Sequence, residues 1–484
     1  MNRGVWAADG RSDQMPQHGS RARLGQRRGL RGSEAGGRAG TPGVSGYPGL
    51  LTRRTFLASA GGVLLAPSLG ATLAPRRGAA KTPTLRIAQW AHFVPAFDEW
   101  FDRTFAKAWG DRNDVQVLVD HISVHQLRQQ AAAEVAAQRG HDLVGLPALP
   151  AGYDAQIQHV TDIVTECERR FGRLVPIAHR WTYNPRSQQY FAFPDGWAPM
   201  PIHYRTDWWG EVGFKPDTWE SIRDGTRKIR EKLSVPAGFG LAPEIKSNLS
   251  LRGMLWSFGA AEQDEAGRVT INSPAAVEAV KLMTAIYRES MTSDVFVWDP
   301  ASNNRAFVWG RVSIIQNAIS AIRQAEKQSP SVARKSALAR AAAGPAARLA
   351  APNLVHVYVI WKFAENADLA RRFLVDLVAA YDDAFLASEF YNLPAFSRAV
   401  TNLRGKLAAD RQSPQSYLML ADAETWTVSP GHPGYFSPAI EETLSKGVIP
   451  KMFARAARGE QSPVESVRQA EAEMQRIFTR WGAR

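Results

Sequence analysis

Aromatic side chains give this 484-residue sequence its clearest chemical potential, with 15 Trp, 11 Tyr and 21 Phe. Indole and phenol rings stack on the C–H faces of sugars, while sugar hydroxyls take amide, carboxylate, guanidinium and imidazole partners. Trp90 and His92 fit this chemistry, because they lie at the end of the alternating segment 84–90 and just beyond it. We expect the Trp90 ring to stack on a ligand and His92 to donate to a hydroxyl.

Most other tryptophans are expected in the core. Rings that recur at helical spacing among apolar residues are usually buried. A ring on a loop beside a strand end is therefore a better indicator of binding than a ring within a helix. The core candidates by this criterion are Trp100, Trp109, Trp219, Trp309 and Trp481.

Residues that could support catalysis or metal binding are present but isolated. His121 and His125 are four apart and could share a helix face, yet no nearby Glu or Cys completes a set of three or four ligands. Cys167, the only cysteine, lies between two glutamates, which raise rather than lower a thiol pKa. No Gly-x-Ser-x-Gly elbow or Gly-x-x-x-x-Gly-Lys phosphate loop occurs. We therefore expect no catalytic residues, no cofactor and no metal.

Alternating strands and helices would position these residues. They are predicted at 84–90, 97–109, 115–119, 127–137 and 142–146. Strands separated by such helices indicate a parallel α/β sheet, and in these sheets ligands bind beyond the carboxyl ends of strands. The loops after Gln89, Val119 and Leu146 are therefore candidate ligand loops. Further along, Thr218 predicts the N-cap of a helix over 219–233.

The charge of the chain is concentrated at one end. The net charge is +13, but residues 1–80 contain 12 Arg, no Lys and three acidic residues, whereas the remainder contains 47 basic and 43 acidic residues. A broad phosphate-binding face on the folded part is therefore not implied, and no nucleic-acid partner is expected. The apolar content of 45% is sufficient for a large core.

The first 80 residues differ in composition from the rest of the chain and divide into two segments, 1–50 and 51–80. Residues 1–50 are rich in Gly, Arg and Ser without hydrophobic periodicity, which predicts disorder. Within 51–80, Arg53 and Arg54 precede a weakly apolar stretch that ends in small residues, and the pattern resembles a twin-arginine export signal. Cleavage is expected after Ala74 or Ala80. A transmembrane anchor is the alternative, disfavoured by the Pro and Gly residues in the stretch.

Several segments, in a fixed order, carry a resemblance to a known family. They are 191–194, the proline-rich 197–201, 216–220, 307–315, 391–395 and 449–464. Following an export signal in this order, they resemble the extracellular solute-binding proteins of ABC importers, and within them the sugar-binding, maltose-binding type. The resemblance spans essentially residues 83–481. The Ala- and Arg-rich segment 329–351 departs from the family pattern.

The resemblance implies an α/β, two-lobed periplasmic-binding-protein fold with crossing hinge segments and a ligand cleft between the lobes. From the family pattern, lobe one comprises 83–196 and 355–400, and lobe two comprises 197–354 and 401–481. Ligand binding is then expected to close the lobes by a hinge motion. Because 329–351 departs from the family pattern, the lobe boundary at 354/355 is the least well defined.

The resemblance also extends the set of candidate ligand-binding residues. It adds residues in crossings, at the start of a helix, at a strand end and on proline-flanked loops, where the family places residues that face the ligand. The full candidate set is Trp90, His92, Trp197, Asn248, Arg252, Trp256, Asn317, His356, Tyr358, Tyr391, Asn392 and Tyr435.

The function that the resemblance implies is solute binding for transport. The chain is expected to be a periplasmic monomer that binds a sugar or related polyol and delivers it to the membrane permease of an ABC importer. Two alternatives stay open: an exported binding protein for a non-sugar solute such as an amine or peptide, and an exported hydrolase. The candidate loops carry more rings, amides and histidines than acids, which favours a sugar over a polyamine.

Overall fold

The computed structural model of the chain describes residues 82–146, 151–410 and 417–482. The predicted disordered extension and export signal, 1–50 and 51–80, lie outside these residues. Within the described ranges, no helix combines the length and the apolar character needed to cross a bilayer. The strands there are β1 (Thr84–Trp90), β2 (Gln116–Ile122), β3 (Leu143–Leu146), β4 (Tyr183–Asn184), β5 (Gln189–Tyr190), β6 (Phe193–Pro199), β7 (Ile202–Arg205), β8 (Ile314–Gln316), β9 (Ser336–Ala339), β10 (Pro352–Ile360) and β11 (Leu393–Pro394).

The α-helices surround these strands. They are α1 (Pro95–Trp100), α2 (Lys107–Asn113), α3 (Val124–Ala137), α4 (Thr161–Phe171), α5 (Pro176–Thr182), α6 (Thr206–Val212), α7 (Trp219–Leu233), α8 (Ile245–Ser257), α9 (Pro274–Ser290), α10 (Ser302–Val308), α11 (Ser320–Gln328), α12 (Pro330–Ala333), α13 (Ala367–Ala379), α14 (Tyr381–Ala387), α15 (Leu403–Ala408), α16 (Pro438–Ser445), α17 (Val448–Arg458) and α18 (Pro463–Arg480). A π-helical segment, Phe101–Ala106, joins α1 to α2, and short 3-10 turns cover Ala151–Gln156, Ser293–Phe296 and Met419–Thr425.

The larger sheet has six strands in the order β11-β6-β10-β3-β1-β2. The strands β2, β1 and β3 are parallel, as expected, but β10 runs antiparallel to both β3 and β6. The parallel arrangement predicted for the strands within 84–146 is therefore confirmed, and the sheet is mixed because β10 joins it antiparallel. Strand β10 returns to this sheet from a distant part of the chain, so the rule for successive strand–helix units does not govern its direction.

The smaller sheet has three antiparallel strands in the order β8-β7-β9. The chain leaves the larger sheet after β6, enters the smaller one at β7, and returns at β10. Strand β6 is paired with β10 up to Pro199, and β10 is paired from Pro352 onward. The expected lobe boundaries, 196/197 and 354/355, fall within these two strands and stay a prediction.

Local signals explain several elements. Helix α7 begins as predicted, since the Thr218 side chain accepts the Ser221 N–H. Helix α18 opens with a capping box in which Ser462 and Glu465 satisfy each other's backbone N–H groups. Trp109 and Trp219 are buried as expected. Trp309 and Trp481 are exposed, because each follows the last residue of its helix, where helical spacing no longer sets the direction of the side chain.

Candidate functional site

A cleft of about 1340 Å³ is lined on one side by residues of the larger sheet and its loops, and on the other by residues of α8, α10 and α11. The larger sheet contributes the edge at which β1 and β3 end and β10 begins. This is the edge at which a ligand is expected in an α/β sheet. The lining residues from this side are Ala91, Phe93, Val94, Ser123, Arg128, Leu146, Asn353 and Leu354, and those from the opposite side include Lys246, Asn248, Leu249, Asn304, Arg305, Asn317, Ser320, Arg323 and Lys327.

The loop after β1 presents one aromatic ring to the cleft. Phe93 lines it with 48% of the side chain exposed, and Pro95 starts α1 immediately afterwards. Trp90 is fully buried, and its ring packs 5.2 Å from the Phe93 ring. The ring expected to contact ligand therefore supports another ring that faces the cleft.

Behind this lining lies a buried cluster of polar and aromatic side chains. Its members are Gln89, Trp90, His92, Asp195, His356, Tyr358 and Asn392, all at most 6% exposed. His356 Nδ1 lies 2.9 Å from the Asp195 carboxylate, and its Nε2 lies 3.4 Å from Gln89 Nε2. Burial raises the pKa of Tyr358 well above its usual value.

His92 is held within this buried cluster as a neutral imidazole. Its Nδ1 accepts the Val94 N–H at 2.9 Å, which leaves the proton on Nε2, 3.2 Å from Asn392 Oδ1. Burial lowers the pKa of His92 to about 3. His92 Nε2 is therefore bonded to Asn392 in this structure, and its hydrogen bond to a ligand hydroxyl stays a prediction.

A polar bridge crosses the cleft from α8 to β10. The Lys246 ammonium donates to Asn353 Oδ1, and Asn353 Nδ2 donates to the Tyr391 hydroxyl at 2.5 Å. Lys246 Nζ also lies 5.3 Å from the centre of the Phe93 ring. Burial lowers the pKa of Lys246 to about 8. The candidate Tyr391 thus contacts the cleft residue Asn353 and does not itself line the cleft.

Helix α8 carries three of the candidate residues. Asn248 lines the cleft, and its amide donates to Glu244 O and accepts from Arg252. Arg252 is completely buried and forms a two-pronged ion pair with Glu262 at 2.6 and 2.7 Å. These bonds fix the Asn248 side chain from behind, which gives this part of the wall a defined geometry.

Asn317 follows β8 and lines the opposite wall. Its Nδ2 donates to Asn303 Oδ1 at 3.0 Å and to Asn304 Oδ1, and its Oδ1 accepts the Ala318 N–H. His203 on β7 contacts the Asn317 carbonyl at 3.0 Å. The strand end predicted to face ligand therefore carries a small network of amides.

The remaining candidates lie away from the cleft lining. Trp197 is buried on β6 and donates to Pro394 O, and Trp256 is buried on α8 near His432. Tyr435 is half-buried, and its hydroxyl lies 3.3 Å from His179 Nε2. Of the twelve candidates, Asn248 and Asn317 line the cleft; contact of any of the twelve with ligand stays a prediction.

Sequence reasoning missed the residues that the cleft exposes most directly. Phe93, Lys246 and Asn353 line it, as do the charged pairs Arg305–Asp299 at 2.8 Å and Lys327–Glu389 at 2.6 Å. Phe93 could have been noticed, because it stands between a strand end and a helix-starting proline. Lys246 and Asn353 become significant only when α8 and β10 are brought together by the fold.

The structure describes the side chains of Cys167 and His121, two of the groups considered for catalysis or metal binding, whereas that of His125 lies outside what it describes. Cys167 is buried, and burial together with Glu166 raises the pKa of its thiol to about 12. His121 Nε2 bonds to Asp102 at 2.9 Å. Across the ranges that the structure describes, no group of three His, Cys, Asp or Glu side chains is arranged to hold a metal ion.

Comparison with known proteins places this fold and cleft in a family. The family described as bacterial extracellular solute-binding protein matches residues 103–393, more than half of the chain. The chain therefore belongs to the bacterial extracellular solute-binding proteins.

Curated relatives of this chain match smaller parts of it. A protein of Deinococcus radiodurans, named "Probable ABC transporter-binding protein", is 26% identical over 175 residues, which cover 34% of this chain and 40% of that protein. A binding protein of Brucella abortus is 22% identical over 188 residues, 38% of this chain and 45% of its own length. The chain spans less than half the length of the curated relatives it matches.

Solved structures share the fold over nearly their whole length. Maltose-bound MalE3 of T. maritima has a TM-score of 0.67 at 18% identity and covers 81% of this chain and 99% of its own. A sugar transporter from Arthrobacter chlorophenolicus A6, with bound laminaribiose, also has a TM-score of 0.67, at 12% identity over 81% of this chain and 99% of its own. This likeness shows the two-lobed fold.

Proposed function

We propose that the chain is the substrate-binding component of an ABC importer, which binds a sugar or related polyol in the cleft and delivers it to a membrane permease. The observation that carries the proposal is that residues of the larger sheet and residues of helices α8, α10 and α11, which surround the smaller sheet, line one cleft. Such a ligand would join the two lobes and favour a closed form. The chain itself then acts by binding and release, without catalysis.

A sugar is supported by the chemistry of the lining. The exposed Phe93 ring offers a face for C–H groups, and the amides of Asn248, Asn304, Asn317 and Asn353 line the same cleft. The fixed partners of these amides reduce the ordering cost of binding. The maltose and laminaribiose of the two solved relatives belong to the same class of ligand.

A second candidate solute is a peptide. The cleft also contains aliphatic side chains, among them those of Leu127, Leu249, Leu354 and Leu444. Aliphatic groups favour a ligand with more apolar surface than a free sugar presents. In both cases the proposed setting is a monomer in the periplasm, exported by the twin-arginine signal and cleaved after Ala74 or Ala80.

A thermal-shift screen of the purified full chain tests the proposal. Sugars, polyols and short peptides are tested as separate groups, because a specific ligand raises the melting temperature by mass action. Isothermal titration calorimetry of each hit then gives its affinity. Saturable binding of a sugar or polyol supports the proposal. Binding of peptides alone favours the second candidate, and turnover of any bound compound would contradict a purely binding role.

A further inference from the structure

Lys246 is a partly buried cation of the cleft that no carboxylate of the described residues pairs at close range. Its ammonium is partly buried, donates to Asn353 Oδ1 and lies over the edge of the cleft beside Phe93. Among the described residues, no carboxylate lies within 4 Å of Lys246 Nζ, although the Glu244 charge acts on it from farther away. An ammonium has three donors, so two remain for another partner.

Two other cations of the cleft already have close counter-ions. Arg305 pairs with Asp299, and Lys327 pairs with Glu389. A partly buried cation without a close counter-ion is costly unless a partner supplies the opposite charge. Lys246 therefore differs from these two neighbours, because it donates to the neutral Asn353 and has no carboxylate of the described residues at close range.

The hydrogen bonds at the start of α8 indicate which kind of anion fits beside Lys246. Helix N-termini commonly bind phosphate through free backbone N–H groups. Here the Glu244 carboxylate takes the N–H groups of Lys246 and Ser247 and also the Ser247 hydroxyl. The helix end is thus already occupied by an anion, and only the single ammonium of Lys246 is left to bind one. A singly charged carboxylate fits this arrangement better than a phosphate.

We propose that the ligand is a sugar acid, a saccharide with a uronic or aldonic acid unit, whose carboxylate binds the Lys246 ammonium while the sugar ring lies against Phe93. This inference rests on the proposed function and narrows its substrate class. Arg128, exposed on the same cleft without an ion pair to a described residue, adds positive charge to that side.

Matched pairs of neutral and acidic sugars test the inference. Galactose with galacturonate, glucose with gluconate, and cellobiose with cellobionate are titrated into the full chain by calorimetry. In at least one pair, we expect the acid to bind about ten-fold or more tightly than its neutral counterpart, since a charge-assisted bond is made only by the acid. Lys246→Met should abolish this preference, and Lys246→Arg should retain part of it.

Lys107→Met is the matched control, because it removes an exposed lysine that Asp111 pairs outside the cleft. We expect the acid-to-neutral affinity ratio to be unchanged in this variant. If neutral sugars bind as tightly as their acids, or if the preference survives in Lys246→Met, the inference is wrong while the proposed function stands. If no sugar of either kind binds to the wild-type chain, the proposed function fails and the inference fails with it.

Discussion

Trp90 and Phe93 are three residues apart and in contact, yet they belong to different environments. Trp90 sits in the buried cluster, where His92 pairs with Asn392 and His356 with Asp195. Phe93 faces the cleft, where Lys246 lacks a close counter-ion. Polar and aromatic residues near this cleft thus divide into those that are buried with partners in the protein and those that are open to a ligand in the cleft.

The largest expected effect is on the stability of the buried cluster. Trp90→Ala should destabilise the ligand-free chain by about 3–5 kcal/mol, because it leaves a cavity at a fully buried site. Urea denaturation of the full chain measures this change, and Phe93→Ala, which removes a half-exposed ring, serves as the control with little effect. If Trp90→Ala is instead as stable as the wild type but no longer binds ligand, Trp90 belongs to the ligand site.

Acid should weaken the same cluster through His92. The folded pKa of His92 is lowered by burial to about 3, whereas the unfolded residue titrates near 6.5. Stability from this group is therefore complete above pH 6.5 and falls as the pH drops toward 3, by roughly 2 kcal/mol at pH 5.

Denaturation of the wild-type chain and of His92→Gln at pH 7 and pH 5 isolates this contribution from the other titrating groups. The variant should lose about 2 kcal/mol less than the wild type over this interval. An equal loss in both proteins would mean that His92 is accessible to protons in the folded state.

A glycine next to the buried cluster provides a steric test. A Cβ at Gly196 would lie 1.8 Å from the Tyr381 hydroxyl and 3.0 Å from Leu393 O, so Gly196→Ala should cost about 1–3 kcal/mol. Tyr381→Phe in the same chain should recover part of the loss. Gly210→Ala is the control, since nothing lies within 4 Å of a Cβ there. Equal stability of the two alanine variants would show that this packing is loose.

The smallest expected effect is a change in ligand affinity caused by a substitution in the cleft. Phe93→Ala should weaken binding of a sugar ligand by about ten-fold while the melting temperature of the free chain stays close to wild type. Calorimetry with the best ligand of the screen measures the first quantity, and thermal melting measures the second. Unchanged affinity would remove Phe93 from the proposed site.

The sequence predicted the bounds of helices and strands more accurately than the directions of side chains. The helix over 219–233 and the strand over 84–90 have the predicted bounds, because a capping threonine and a clear alternation define them locally. The site loops were also placed at the edge where the cleft lies. Alternation along 84–90 could not show that both faces of β1 are covered near its end, and so it did not separate Trp90 from Phe93.

Contacts between residues far apart in the sequence could not be predicted, for a different reason. Lys246 and Asn353 are 107 positions apart, and neither belongs to a recognisable motif. Their significance comes from an antiparallel β10 that brings its first residues to the ends of β1 and β3. The family resemblance supplied the two-lobed fold, whereas the residues that line this particular cleft differ from most of those the resemblance suggested.

The buried thiol of Cys167 makes this chain convenient for optical reporting. Since it is the only cysteine and its pKa is raised to about 12, almost none of it is thiolate at neutral pH. A cysteine introduced at Ser445, which lines the cleft, would then be the one site that a maleimide dye modifies in the folded protein. An environment-sensitive fluorophore at that position would respond to lobe movement and solvent exclusion, and the natural cysteine would not have to be removed first.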